Sequence, residues 1–227
     1  MTSYTYAELQ TENFEGMRFY QTARGPYPSI TTVLGTSRSE EAKQSLQNWR
    51  TSLGETKANE VSKKATDRGT NVHLLAERYL KKQEVFAPIQ GATIPDLDKA
   101  AFNALKLKLD KIDEIWGQEV PLVSNEYEVA GRCDLVGKYK GVPVIVDFKT
   151  AGRVKSRKDI GDYELQLIFY GDAHNEMFGT TISEGVILMV AETGFPMEFK
   201  VPFTEELRGK LRARIQKFNA ELSKKYT

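Results

Sequence analysis

Residues 130–150, AGRCDLVGKYKGVPVIVDFKT, contain the strongest structural signal in the chain. The pair Lys140-Gly141 is a turn signal between two stretches rich in apolar and β-branched residues, and this pattern predicts a β-hairpin. The run 142–148 is apolar except for Asp147, as expected of a strand that is buried on both faces. The stretch therefore predicts a hairpin whose second strand lies inside a sheet.

The same hairpin brings two acids and a lysine together. If its strands pair through the turn, Asp134 and Asp147 come from adjacent strands, and Lys149 projects to the same face as Asp147 because side chains alternate. A carboxylate at the end of a buried strand is costly unless it is paired or binds a metal ion. Mg²⁺ binds oxygen ligands and activates water, and a nearby lysine can stabilise charge that develops on phosphorus. Phosphodiester hydrolysis is therefore indicated, and a simple ion pair between Asp147 and Lys149 is the alternative.

On either side of the hairpin, stretches with the apolar spacing of helices alternate with stretches typical of strands. Apolar residues at helical spacing predict helices that begin near Ser39 and Thr204 and that span about 57–82, 96–116 and 159–178. The helix over 57–82 is expected to be interrupted at Arg68-Gly69-Thr70. Strands are predicted over 17–22, 119–124, 126–139, 142–148, 183–191 and 197–202. The rest of the first 37 residues is expected to be irregular or extended. This order predicts an α/β fold with a central mixed β-sheet flanked by helices.

Length and composition favour one globular domain over residues 1–227. We expect an N-terminal helical part, residues 1–116, and a sheet core with flanking helices, residues 117–227. The chain is 40% hydrophobic and 28% charged, and its longest apolar runs are too short to span a membrane. Its net charge of +1 requires any contact with nucleic acid to come from local basic patches.

The cysteine content limits the metal sites that the chain can form, and the N-terminal sequence bears on its cellular location. The single cysteine, Cys133, excludes an internal disulfide and any four-cysteine zinc site or iron–sulfur cluster. The first residues show neither a signal-peptide nor a transit-peptide pattern. A cytoplasmic location is expected, which means the host cytoplasm if the protein is viral.

Two helical motifs accompany the hairpin. His73 lies in RGTNVHLLAE, residues 68–77, four residues before Glu77, and Gln166 lies four residues before Tyr170 in the helix after the hairpin. A single histidine on an apolar helix is more often a core residue than a ligand. The acids closest in sequence to the hairpin are Glu119, Glu126 and Glu128, and alternation would put the last two on the strand face of Asp134.

Together these motifs resemble the RecB-like branch of the PD-(D/E)XK nuclease superfamily. The Gly-Thr-x-x-His-x-x-x-Glu helix, the Gly-Arg-x-Asp strand, the Asp-x-Lys-Thr strand and the Gln-x-x-x-Tyr helix occur in the family's order. Segments 27–34 and 46–50 are also similar to the N-terminal region of the mitochondrial genome maintenance exonuclease and its phage relatives. The resemblance covers about 27–172 and implies a restriction-endonuclease-like core with an added N-terminal helical region.

The resemblance also implies roles for individual residues. Mg²⁺ or Mn²⁺ would be held by His73, Asp134, Asp147 and the main-chain carbonyl of Phe148. The other catalytic residues would be Lys149, with Gln166 and Tyr170 to position the lysine or the scissile phosphate. Contacts with nucleic acid would come from Arg68, Ser29 and Thr31, and from the stretch after Lys149 that holds Thr150, Arg153, Lys155, Arg157 and Lys158. The flanking cysteines of the iron–sulfur subfamilies are absent, so no iron–sulfur cluster is expected. The sequence also departs from the family pattern at Cys133, which stands before Asp134 where proline is common.

The implied function is that of a metal-dependent DNA exonuclease that favours single-stranded DNA or free ends. It would act in DNA replication, recombination or repair, with DNA as its partner and a recombination or single-strand-binding protein as a further candidate. A structure-specific endonuclease and a DNA-binding recombination module with dispensable catalysis are the alternatives. An α/β protein with only a surface ion pair is a third reading.

Overall fold

Within residues 4–89 and 91–226, which a computed structural model describes, the chain forms eight strands and six α-helices. The strands are β1 (Thr11–Phe14), β2 (Met17–Thr22), β3 (Gly25–Pro28), β4 (Ile112–Ser124), β5 (Val129–Tyr139), β6 (Val142–Ala151), β7 (Glu184–Ala191) and β8 (Pro196–Pro202). The helices are α1 (Ile30–Thr36), α2 (Glu40–Leu53), α3 (Glu55–Leu80), α4 (Asp96–Leu109), α5 (Gly161–Phe178) and α6 (Glu205–Tyr226).

A five-stranded sheet in the order β4-β5-β6-β7-β8 forms the centre of the fold. Its neighbours are antiparallel except for β6 and β7, which run parallel. Helices α3 and α4 pack on the face that carries Val144 and Val146, and α1, α5 and α6 pack on the face that carries Ile145. Both faces are covered, which explains why β6 is apolar along most of its length. The predicted hairpin and the mixed sheet flanked by helices are confirmed.

Three predicted boundaries are wrong. The helix expected over 96–116 ends at Leu109, because Ile112–Trp116 pairs with β5 as the first part of β4. The helix expected to be interrupted at Arg68-Gly69-Thr70 is continuous, since α3 runs from Glu55 to Leu80. The strand expected over 126–139 starts at Val129, and residues 125–128 form a turn. Glu126 and Glu128 therefore do not share a strand face with Asp134.

The N-terminal region contains a small sheet of its own. Strands β1, β2 and β3 form an antiparallel sheet, of which the sequence predicted only β2. Tyr20 and Tyr27 of this sheet are buried together with Ala130 of β5. The part expected to be helical, residues 1–116, thus also contains three strands and the start of β4. Among the residues described, no helix has the length and apolar character that crossing a lipid bilayer requires.

Candidate active site

Three carboxylates stand side by side on three neighbouring strands. Glu119 lies between Gln118 and Val120, which pair with Leu135 and Cys133 on either side of Asp134. Asp134 and Asp147 each lie one residue beyond the last pair of β5 and β6, Leu135 with Val146. The main-chain N–H of Phe148 donates a hydrogen bond of 2.7 Å to Asp134 Oδ2, which ties β5 to β6 at this level. The prediction that Asp134 and Asp147 come from adjacent strands is confirmed.

Helix α3 brings His73 to these acids. Its Nδ1 lies 3.5 Å from Asp134 Oδ2, and its ring packs edge-on against Phe148 with 5.9 Å between the ring centroids. Potential ligand atoms of His73, Glu119 and Asp134 all lie within 4.8 Å of one another. His73 and Glu119 also border a surface pocket of about 450 Å³, so the group can be reached from solvent. One imidazole and two carboxylates at this spacing form a donor set that suits a divalent cation.

Asp147 forms a buried ion pair with Lys149. The lysine Nζ donates a hydrogen bond of 2.6 Å to Asp147 Oδ1, and Asp147 is only 1% exposed. Oδ2 is equally close to Nζ, yet it accepts no hydrogen bond of good geometry from the described residues. The ammonium already compensates the charge of Asp147, and Oδ2 keeps lone pairs that a bound cation could use. The residues present therefore fit a divalent cation, with Asp147 beside the group of three.

Close packing of these groups shifts their pKa values. Burial, together with the charge of Asp134, raises the pKa of Glu119 to about 7, and burial raises the pKa of Asp147 to about 6 against the effect of Lys149. Burial disfavours charged His73, but the Asp134 carboxylate outweighs burial and raises the His73 pKa to about 8. Burial also opposes the charged form of Asp134, and His73 nevertheless holds its pKa below the usual range. A bound cation would displace protons from this cluster, so its affinity should rise with pH.

Helix α5 presents three polar or aromatic side chains at i, i+3 and i+7, which places them on one helix face. Gln166 Nε2 donates a hydrogen bond of 3.1 Å to the Tyr170 hydroxyl, and both residues are buried. Lys149 Nζ lies 5.2 Å from the ring centroid of Tyr163, which is a cation–π contact. The sequence motif gave Gln166 and Tyr170 but missed Tyr163, whose only signal was its position three residues before Gln166.

Gly131 allows α5 and α1 to approach the strand that carries Asp134. A Cβ at this position would lie 2.8 Å from Tyr170 Cε1 and 3.1 Å from Ile30 Cγ2. Real Cβ atoms essentially never approach another atom as closely as 2.8 Å. The glycine of the Gly-Arg-x-Asp motif thus provides the space in which Tyr170 packs on the sheet.

Arg132, the next residue of that motif, supports Glu119 on the neighbouring strand. Its guanidinium donates a hydrogen bond to the main-chain carbonyl of Glu119 and a second one, of 2.8 Å, to the Glu8 carboxylate. Glu119 has a φ of 51°, which is unusual for a residue with a side chain. The contact from Arg132 helps to hold Glu119 in this conformation and directed at the site. Sequence reasoning noted Glu119 as nearby but did not include it among the site residues.

The residues expected to contact nucleic acid have different environments. Arg68 and Thr150 line a groove between α3 and the end of β6, and Thr31 is exposed on α1. Ser29 is buried, and its hydroxyl caps α1 by accepting a hydrogen bond of 3.0 Å from the Thr32 N–H. This capping role explains the serine and does not favour a direct contact with nucleic acid.

The basic loop after β6 is partly neutralised. Arg153 pairs with Asp159, and Arg157 pairs with Glu164 at 2.7 Å. Lys155 and Lys158 form no ion pair with the part of the chain that the structure describes. These two lysines are therefore the free cations of the loop.

Comparisons with known proteins give one family match. The sequence model of a family described as the PD-(D/E)XK nuclease superfamily matches residues 42–224. No protein with a curated description matches the chain in sequence. Among solved structures, the chain is similar to a candidate exonuclease from Eubacterium rectale, with 14% identity, a TM-score of 0.46, and coverage of 69% of this chain and 68% of that one. It is also similar to the protein SSO0001, with 13% identity, a TM-score of 0.34, and coverage of 66% and 74%. At these TM-scores the structural likeness carries no weight for function.

Proposed function

Because the chain belongs to the PD-(D/E)XK nuclease superfamily, we propose that it is a metal-dependent DNA exonuclease of the RecB-like branch. Membership supports a nuclease, that is, a hydrolase of phosphodiester bonds. The observation that supports a working enzyme most strongly is the packing of Lys149 against a buried aspartate beside the cluster of His73, Glu119 and Asp134. The lysine is largely buried, with 17% of its side chain exposed, and a cation held beside a candidate metal cluster suits hydrolysis better than binding alone.

The proposed metal ligands are His73, Asp134, Asp147 and the main-chain carbonyl of Phe148, and Glu119 is added to them from its position in the structure. Mg²⁺ or Mn²⁺ is the proposed cation, since carboxylates suit both and an imidazole is compatible with Mn²⁺. When bound, the cation supplies Lewis acidity toward a phosphoryl oxygen and makes water a stronger nucleophile at neutral pH.

Lys149 supplies the second positive charge of the site. Burial works against its charged form, but Asp147 and Asp134 raise its pKa, so it remains an ammonium at neutral pH. Held by Asp147 and by the face of the Tyr163 ring, it has a fixed place from which to stabilise negative charge on the scissile phosphate. Gln166 and Tyr170 are proposed to position the lysine or that phosphate from the same helix face.

The preference for single strands or free ends, and a place in replication, recombination or repair, are parts of the proposal. They are supported by the similarity of segments 27–34 and 46–50 to exonucleases of mitochondria and phages. A structure-specific endonuclease and a recombination module with dispensable catalysis remain the competing functions.

Digestion of labelled DNA separates these functions. End-labelled single-stranded and double-stranded oligonucleotides and a circular single strand are incubated with the protein in Mg²⁺, Mn²⁺ or chelator. We expect metal-dependent release of short products from linear single strands, with the circle left intact. Cutting of the circle would indicate an endonuclease. Binding without cleavage in either metal would indicate a recombination module.

A further inference from the structure

A groove of about 310 Å³ runs beside the site, between the N-terminal half of α3 and the end of β6. We call it the α3–β6 groove, and the residues that matter in it are Val61, Lys64, Ala65, Arg68, Thr150 and Glu192. Thr150 follows Lys149 in β6, but its side chain projects to the other face of the strand, toward α3. The groove adjoins the site along α3, because Arg68 precedes Gly69, which borders the same pocket as His73 and Glu119. Its volume is at the small end of the range for sites that bind one small ligand, ~300–1,000 Å³.

The groove combines an apolar floor with a basic rim. Val61 is 42% exposed, and Ala65 follows it one turn later. Lys64 and Arg68 lie one turn apart on the same helix and provide the positive charge. A nucleotide complements such a groove, because its anionic phosphate suits the basic rim and its less polar sugar and base suit the apolar floor.

Arg68 already holds a carboxylate in this groove. Its guanidinium contacts Oε1 of Glu192, in the turn between β7 and β8, at 2.7 Å. It also lies 3.6 Å from the Asp98 carboxylate. The Arg68 side chain is 18% exposed, whereas that of Glu192 is 53% exposed. An ion pair with one such exposed partner adds little to stability. The same guanidinium fork that binds a carboxylate also binds phosphate, so Glu192 stands where a phosphate could replace it.

We propose that the α3–β6 groove binds one unpaired nucleotide next to the scissile bond, with its backbone phosphate on Lys64 and Arg68 in place of Glu192. This assignment depends on the proposed function, because the groove is placed relative to the proposed metal site on α3 and the sheet. The nucleotide is unpaired, since the bases of a duplex are stacked inside it and cannot reach an apolar floor, whereas those of a single strand can. Val61 and Ala65 then form the floor on which the base or sugar packs.

Two neighbouring lysines provide a matched test. Lys64 lines the groove, whereas Lys63 pairs with Asp67 at 2.6 Å and does not line it. Binding of a fluorescein-labelled single strand to the full chain is measured by anisotropy in chelator, where no cleavage occurs. We expect Lys64→Ala to lose one phosphate contact, which lowers the slope of log K against log salt by ~0.7 and weakens binding about fivefold at 0.1 M salt. Lys63→Ala should bind like the wild type.

Two acids provide the opposite test. Glu192→Gln removes the carboxylate that competes for Arg68, so it should tighten binding of the single strand by up to about fivefold, by the same one-contact arithmetic. Asp67→Asn removes the same charge from α3 outside the groove and should change binding little. A duplex of the same length should respond less to Glu192→Gln than the single strand does. Thermal melting of each variant shows whether it is folded.

The outcomes distinguish failure of the groove from failure of the nuclease assignment. The groove is not the site if Lys64→Ala and Lys63→Ala weaken binding equally, or if Glu192→Gln binds no better than Asp67→Asn. In that case, metal-dependent cleavage by the wild type would still support the nuclease assignment. If the groove variants behave as expected but the wild type never cleaves, the nuclease assignment fails, and the groove stands only as a binding site for a single strand. If the wild type binds no single strand, the proposed role of the groove is wrong. If Glu192→Gln changes binding of the duplex as much as binding of the single strand, the bound nucleotide need not be unpaired.

Discussion

Replacement of Gly131 by alanine tests whether the contact between α5 and β5 holds the site in place. The added Cβ would lie 2.8 Å from Tyr170 Cε1 and 3.1 Å from Ile30 Cγ2. Both neighbours are buried in the main core, so neither can swing into solvent. Overpacking of this kind typically costs ~1–3 kcal/mol of unfolding free energy. At ~2–4 °C per kcal/mol for a chain of this size, the Tm should fall by roughly 2–12 °C.

The same substitution should reduce catalysis. Tyr170 must move to make room, and its hydroxyl accepts the hydrogen bond of Gln166 at 3.1 Å. A displacement of about 1 Å near the chemistry can cost up to ~10²-fold in rate, so we expect a loss of roughly tenfold to a hundredfold. The rate of digestion of a labelled single strand is measured well below the Tm of the variant, so that unfolding does not contribute.

Gly209 in α6 gives a matched control. None of the described residues lies within 4 Å of a Cβ added there, and alanine favours a helix interior over glycine by ~1 kcal/mol. Gly209→Ala should therefore keep or raise the Tm and leave the rate unchanged. A Gly131→Ala protein with the Tm and the rate of the wild type would refute the packing role assigned to this glycine.

Three further predictions concern the metal, the lysine and the core. Mg²⁺ or Mn²⁺ at ~100 times its Kd should stabilise the wild type by ~2.7 kcal/mol, which is measured as a higher Tm than in chelator. Asp134→Asn should lose most of this rise in Tm, and equal rises in both proteins would contradict the role of Asp134 as a ligand. Tyr163→Leu should lower kcat by roughly twofold to thirtyfold and change KM little, because it removes a cation–π contact of ~0.5–2 kcal/mol. Tyr163→Phe keeps the ring and should retain activity. Equal losses of kcat in the two variants would exclude a role for the ring contact. Burial lowers the pKa of His174 from 6.5 to about 4, so as pH falls the unfolded chain binds the proton first. The contribution of His174 to stability is complete above pH 6.5 and is lost between pH 6.5 and 4, on the order of 3 kcal/mol. Urea unfolding at pH 7 and pH 4 should show a smaller loss for His174→Gln than for the wild type, and parallel losses would contradict the prediction.

Local signals were sufficient to predict the centre of the site. A turn at Lys140-Gly141 and an apolar run on either side fix the hairpin, and once two strands pair, Asp134 and Asp147 must be neighbours. Alternation then places Lys149 on the face of Asp147, where the structure has their ion pair. Each of these steps depends on residues close in sequence.

Glu119 could not be predicted in the same way, because its place depends on the pairing of β4 with β5. That pairing is irregular between Ile112 and Gly117, so alternation counted from the sequence loses the register. The error at Trp116 has the same origin. Its spacing from Ile112 suits a helix, but pairing with β5 decides the conformation of this segment. Glu128, with a φ of 53°, belongs to a turn that strand periodicity cannot reveal.

We propose that Lys149 belongs to the catalytic centre of a nuclease. The most direct measurement is the rate of digestion of an end-labelled single strand by wild type, Lys149→Ala and Lys138→Ala, each in Mg²⁺, Mn²⁺ and chelator. Lys138 is a control on β5 that pairs with Glu114 at 2.8 Å. We predict metal-dependent digestion by wild type and Lys138→Ala, and a loss of at least ~10²-fold for Lys149→Ala, since it removes a group that stabilises developing charge. Digestion by Lys149→Ala at the rate of the wild type would contradict the claim.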